Sequence, residues 1–169
     1  MIPKRPSFFA PSATGRTGLL ALALCSASLH AESFESAAPG TFTSLQSSIG
    51  TWSGSARIQE GHAKSGRRSL RLAGEGEQAV TLTLASPAAK GAALSFHAER
   101  WTKRDPFRFR IEAREEGTWE GIYSGDEEIR TGGFPSSVKV MLAARTRELR
   151  FLSTGPGDAG VLLDDIALH

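Results

Sequence analysis

The chain has 169 residues, with 20 Lys and Arg against 18 Asp and Glu, a formal charge of +2, 40% hydrophobic residues and a single cysteine. That make-up fits one domain able to bury a sizeable core, and it excludes a disulfide-built scaffold and a low-hydrophobicity disordered chain. The near-balance of charge gives no basis for a nucleic-acid partner.

The first segment reads as an export leader. Lys4, Arg5 and Arg16 precede the apolar run from Gly18 to Ala27, which is too short to span a bilayer, and Ser28-Leu29-His30-Ala31 has the small-residue pattern of a cleavage site. A signal peptide over residues 1–31 is therefore expected, leaving residues 32–169 as a secreted or periplasmic mature chain with no transmembrane segment. Leu22-Ala23-Leu24-Cys25 loosely resembles a lipoprotein box, although Leu24 suits it poorly; lipid anchoring at Cys25 is the second reading. Beyond residue 31 there are 17 basic against 18 acidic residues, a net charge of −1, and no cysteine. Arg outnumbers Lys 15 to 5 and Asn is absent altogether, a bias expected of a bacterial genome; without Asn there is no N-glycosylation acceptor.

Along the mature chain, turn signals recur every eight to twelve residues or so, the spacing of an all-β sandwich or barrel. The predicted strands are 33–36, 55–59, 69–73, 79–84, 92–99, 107–114, 119–123, 127–131, 137–143, 148–153 and 161–168. Breaks such as Ala38-Pro39-Gly40, Gly74-Glu75-Gly76, Asp105-Pro106 and Gly155-Pro156-Gly157 separate them. Alternation is clearest in the middle, where Phe107, Phe109, Ile111 and Ala113 interleave with Arg108, Arg110, Glu112 and Arg114. Period-2 alternation buries one face and solvates the other. No segment carries sustained helical periodicity with caps. The fold class expected is an all-β, two-sheet antiparallel β-sandwich of jelly-roll type, with a plain Greek-key sandwich second. Phe96, Phe109, Ile111, Val140, Phe151 and Ile166 are the expected core.

Three groups of residues stand out chemically. Arg108, Arg110 and Arg114 project from one side of one strand, and Arg100, Lys103 and Arg104 lie just before it around Trp101. Guanidinium groups take carboxylates in a bidentate way and Trp stacks on sugar rings, so Trp101, Arg100, Arg108 and Arg110 are candidate ligands for an acidic glycan. The alternative is a solvated face whose arginines pair with Glu99, Glu112, Glu115 and Glu116. Trp52, in the Gly- and Ser-rich stretch Gly50-Thr51-Trp52-Ser53-Gly54, is a further candidate sugar platform on a loop; Trp119 has equal claims as platform or edge residue. The third group is Asp164-Asp165, two carboxylates inside the apolar run that closes the chain. On a regular strand only one of two neighbours faces inward. Catalysis has little support. The mature chain has only His62, His97 and His169, no nucleophile elbow and no spaced His ligands, and its paired glutamates lie in turns.

Ser33-Phe34-Glu35 at the start, the run from His62 through Ser65-Gly66 to Ser69-Leu70-Arg71-Leu72, and Leu163-Asp164-Asp165-Ile166 at the end form an ordered trio. This trio resembles bacterial jelly-roll carbohydrate-binding and MAM-like modules across the whole mature chain. The stretch from Phe96 to Arg110 further resembles modules found next to exo-sialidase propellers. The sequence lacks what a sialidase itself needs: Ser47-Ser48-Ile49-Gly50-Thr51-Trp52 echoes only part of the propeller repeat and lacks its Asp. The resemblance implies a secreted noncatalytic glycan-binding or adhesion module, its partner a glycan or glycoprotein surface, acidic or sialylated. It also implies a structural Ca²⁺ tying the first strand to the last, with Glu35, Asp164 and Asp165 as ligands and carbonyls of the 60–68 turn completing an oxygen shell. Two alternatives stay open: a structural accessory domain packing on a catalytic or cell-surface partner, and a fragment of a sialidase-like hydrolase.

Overall fold

The computed structural model describes residues 31–169. The leader expected over 1–31, and Cys25 with it, therefore lies outside the described residues except for its last position. Ten strands form the described chain: β1 (Gly40–Ser47), β2 (Gly50–Glu60), β3 (Arg68–Ala73), β4 (Gly76–Leu84), β5 (Ala93–Arg100), β6 (Arg108–Arg114), β7 (Glu120–Ser124), β8 (Ser136–Met141), β9 (Glu148–Gly155) and β10 (Gly160–Leu168). Among the described residues there is no helix, and so none long and apolar enough to cross a membrane.

The strands are hydrogen-bonded in the order β7-β6-β9-β4-β2-β3-β10-β5-β8, all antiparallel, with β1 on the other edge of β2. β2 belongs to both halves. Its first residues, Gly50–Gly54, pair with β4, and its last, Arg57–Glu60, pair with β3. Between them the sheet folds over, so that β7-β6-β9-β4 faces β3-β10-β5-β8. The aromatic side chains between the halves record this packing: Phe96 of β5 meets Phe109 of β6 and Phe151 of β9 edge-on, with ring centroids 6.2 and 6.4 Å apart. The result is a β-sandwich of jelly-roll type.

Alternation decides which side chains fill that space. Phe109 and Ile111 on β6, Leu149 and Phe151 on β9, and Val80 and Leu82 on β4 are fully buried, while Arg108, Arg110, Glu112, Arg150 and Leu152 turn outward. All six expected core residues are buried. β10 is buried on both faces, because loops cover its outer side; Leu162 and Asp164 are as inaccessible as Val161 and Leu163.

Three expectations need correction. Residues 33–36 form no strand: Glu32 makes one isolated bridge to Ile166, and Phe34, at φ +60°, turns the chain inward. Residues 127–131 are also not a strand; a turn at Gly125–Ile129 buries Ile129 as an anchor. The strand over residues 40–47 was not expected, because its Thr- and Ser-rich sequence has few apolar residues and it is an edge strand paired only with β2.

Phe109→Ala should lower stability by about 3–5 kcal/mol, from lost burial plus the cavity left between β6, β9 and β5. Urea denaturation of residues 32–169 measures it; a loss under about 0.5 kcal/mol would mean that this ring does not hold the halves together.

Candidate functional site

The outer face of β4, β9 and β6 is the first candidate. Strand register places Glu77, Thr154 and Arg108 in one row, Ala79, Leu152 and Arg110 in the next, and Thr81, Arg150 and Glu112 in a third. With Pro106 at one end, these rows line an open groove of about 460 Å³. Arg150 pairs with Glu112, its Nε donating at 2.8 Å, and Arg114 with Glu148 at 2.6 Å. Arg108 and Arg110 are exposed and, among the described residues, in no ion pair. The glutamates expected to neutralise this strand are committed elsewhere: Glu112 to Arg150, Glu115 to Arg145 and Glu99 to His62. The groove therefore keeps two free guanidinium groups on one strand, two residues apart.

Trp119, just before β7, supplies the aromatic surface on this side. The guanidiniums of Arg114 and Arg150 both lie 4.5 Å from its ring centre, which fixes a half-buried indole beside the third row. Arg150 was not visible as a candidate in the sequence. Its β9 strand alternates as plainly as β6, but only the register shows that it faces the same groove.

The structure separates the other predicted ligands from this groove. Trp52 is corrected from loop platform to core: it lies on β2, fully buried, against Phe34 and Phe151 with centroids 5.7 and 5.4 Å away, and its Nε1 donates to Ser47 Oγ. Glycines on either side gave the segment a loop-like composition, but Gly50 and Gly54 are glycine because β4 passes too close for a Cβ. At Gly54, φ is +123° and a Cβ would come 2.5 Å from the Ala79 carbonyl oxygen. Arg100 donates to the Arg104 carbonyl and, at 2.8 Å, to Asp105, and covers the Phe107 ring; it fastens the 101–107 loop. Trp101 lies on the opposite half, held by its own N–H to Gly160 and packed against His62 and Arg71. Trp101 and the Arg108/Arg110 pair therefore do not share a surface.

The predicted metal ligands converge on a single turn. Asp164 Oδ2 accepts from the amides of Lys64 and Ser65 at 2.7 and 3.0 Å, Asp165 accepts from Ser65 Oγ, and Glu35 Oε1 accepts from the amides of Arg67 and Arg68 at 2.8 and 2.7 Å. Both aspartates reach the turn, contrary to the one-inward expectation. A bulge between Asp164 and Ala167 puts Asp165 at φ +50° and swings the second carboxylate to the same side. Gly66 suits this turn at φ +63°, and a Cβ there, 2.5 Å from the Glu35 carboxyl carbon, would push that carboxylate off its two amides. Burial pushes Asp164 up to about 6 against the three amides that donate to it. Among the described residues no three Asp, Glu, His or Cys side chains come together closely enough to hold a metal ion. The candidate donors are hard oxygens gathered against one turn, the kind calcium takes, but any shell would draw most of its ligands from carbonyls.

A second lock sits beside this turn. Glu99, nearly inaccessible, accepts from His62 Nε2 at 2.8 Å and from the amides of Gly132 and Phe134 at 2.9 Å each. His62 also packs on Phe134. His62 thus meets a residue 37 positions away, a pairing that no local pattern encodes.

No protein-family model matches the sequence, and no curated protein matches it significantly. Solved structures do. The K2 cleaved adhesin domain of Lys-gingipain superposes with a TM-score of 0.60 at 13% identity, over 83% of this chain and 99% of that one. The family 11 carbohydrate-binding module of the cellulosomal cellulase Lic26A-Cel5E of Clostridium thermocellum superposes with a TM-score of 0.51 at 13% identity, over 83% and 93%. The chain has the fold of these modules. At such identities the likeness extends to the fold alone.

Burial disfavours the Glu99 charge, but its His62, Phe134 and Gly132 partners outweigh burial and hold the carboxyl below the usual range. A carboxyl depressed in the folded state stabilises above its unfolded value near pH 4.5, and that contribution disappears as pH falls through the folded value. Glu99→Gln should cost roughly 1–3 kcal/mol at pH 7 and less at pH 3.5. Denaturation midpoints of both proteins at the two pH values test this; equal differences would show that the carboxylate charge is not what the lock uses.

Proposed function

We propose that this protein is an exported, noncatalytic glycan-binding or adhesion module. Its outer groove on β4-β9-β6 takes acidic glycans, sialylated or uronate-bearing. The observation that carries this reading is the unpaired Arg108/Arg110 pair at a groove bordered by Trp119. Free guanidiniums offer bidentate hydrogen bonds to a carboxylate, and the rows of Thr, Glu and Arg around them offer partners for hydroxyls. The fold supports the reading by analogy, since one structural neighbour is described as an adhesin domain and another as a carbohydrate-binding module. No arrangement of nucleophile, base and oxyanion donors is seen among the described residues to favour a reaction in the groove.

The test is calorimetric titration with 3′-sialyllactose and with a galacturonic acid tetramer, the latter also in its fully methyl-esterified form. The acidic sugars should bind and the esterified one should not. Arg110→Gln should cost tenfold or more in affinity, and Arg67→Gln, on the distant turn, should cost nothing. Affinity should fall with salt, because exposed charges are screened over about 8 Å at 0.15 M. Trp119→Ala should weaken binding without altering the salt dependence. Binding that ignores both Arg108 and Arg110 would leave the groove without a role.

The same reading includes a structural Ca²⁺ at the 62–68 turn, held mostly by turn carbonyls with no more than two of Glu35, Asp164 and Asp165 contributing carboxylate oxygens. When bound, the ion would neutralise the buried charge of Asp164 and tie β10 to the N-terminal segment. A metal that binds only the folded state raises Tm by mass action. Excess Ca²⁺ should raise Tm above its value in EDTA, and Asp164→Asn should abolish the difference. Identical melting in both would mean that the backbone amides alone hold these carboxylates.

A further inference from the structure

The split in β2's pairing leaves a second cleft, on the far side from the groove. Where the strand passes from β4 to β3, residues 54–57 are paired on that edge only at their ends. The gap is walled by Thr41, Phe42, Arg57, Arg71, Ala73 and Gln78 around a space of about 310 Å³. That is at the small end of ligand sites, about 300–1,000 Å³. We propose that this cleft is a binding site separate from the groove, in which Arg57 and Arg71 hold the carboxylate of an acidic sugar next to Trp101.

The two arginines are directly opposite each other on β2 and β3. Like charges in that relation destabilise a sheet. No acid offsets them: the register row runs Thr41, Arg57, Arg71, Leu162, Glu99, and Glu99 is already spent on His62 and two amides. Neither arginine is in an ion pair among the described residues. Arg71 is half-buried, its guanidinium carbon 4.3 Å from the Trp101 ring centre, and its Nε is buried with no hydrogen-bond partner. Burial and then Arg57 lower its pKa, the response of a cation short of an anion. A carboxylate in the cleft would bridge the terminal amino groups of the two guanidiniums and offset the like charges. The remaining walls suit a sugar ring: Phe42, Ala56 and Ala73 offer apolar surface, and Thr41 and Gln78 offer hydroxyl and amide groups. The site shares only its ligand class with the groove reading and stands whether or not the groove binds.

The galacturonic acid tetramer is the probe, with its methyl-esterified form as the uncharged control. Arginine side-chain NMR follows Arg71 Nε–H during titration, and calorimetry gives affinity and stoichiometry. The acid should shift the Arg71 signal in a saturable way, and the ester should not. Arg57→Gln, at an exposed position that the fold tolerates, should weaken this event about tenfold, and Arg57→Gln with Arg71→Gln should remove it. Arg108→Gln with Arg110→Gln should leave the Arg71 titration unchanged even if it abolishes groove binding. The proposal is overturned if the Arg71 signal does not move, if acid and ester move it alike, or if Arg57→Gln titrates as the parent does.

Discussion

Each candidate surface on this protein depends on how β2 divides one edge between two partners. A strand can satisfy its backbone against only one neighbour per side at a time. Pairing with β4 up to Gly54 and with β3 from Arg57 therefore forces the two neighbours apart, and the sheet closes on itself there. Gly54 makes the crossing achievable, because only a residue without Cβ fits against the Ala79 carbonyl at φ +123°. Downstream of that corner, β4-β9-β6 presents a polar outer face and β3-β10-β5 presents another, while Trp52, on β2 itself, plugs the space between. A side chain at Gly54 would strain the corner, and with it both faces.

The two halves treat their outer faces differently. On β4-β9-β6 the face is open to solvent, and its charges are free or lightly paired. On β3-β10-β5 it is largely roofed by the 62–68 turn, Trp101 and Phe134, so that Leu162, Ser69 and Asp164 are inaccessible though they point away from the sandwich core. Carboxylates hold this roof: buried Glu99 grips the loop before β8, and buried Asp164 and exposed Glu35 grip the turn after β2, through six amide contacts and one imidazole contact in all. Polar groups withdrawn from water require such partners, which explains why acids sit inside the apolar closing strand. Without a disulfide in this region, these contacts fasten long loops to the framework.

The parts of this arrangement legible in the sequence are those governed by local period. The alternation in 107–114 puts Phe109 and Ile111 inside and Arg108 and Arg110 outside, as the structure does. Composition misled where glycine served packing: Trp52 between glycines has a loop's composition and is instead the largest core residue. β1 and the role of Arg150 stayed hidden because both depend on register, which no single strand's sequence encodes. The Asp164–Asp165 pair was recognised, but not that a bulge turns both toward one turn. Trp101 and Arg108 are near in sequence, yet the six residues between them carry the chain from one half of the sandwich to the other.

A net charge near zero hides how unevenly the charges are matched. Thirteen arginines lie in the described residues, and seven of them have an acidic partner within 4.0 Å. Six do not: Arg57, Arg71, Arg108, Arg110, Arg130 and Arg147. Four of these six line the two clefts, two in each, as neighbours on one strand or across two. Random scatter of a basic surface would place unmatched cations apart, where mutual repulsion is least. Holding them in pairs costs stability, and Arg71 bears a further cost from losing water. Packing does not explain that cost for Arg57, Arg108 and Arg110, which are exposed. An anionic ligand would offset it at either place, and on the proposed reading the pairing of unmatched arginines, rather than their number, is what suits the two clefts to recognition.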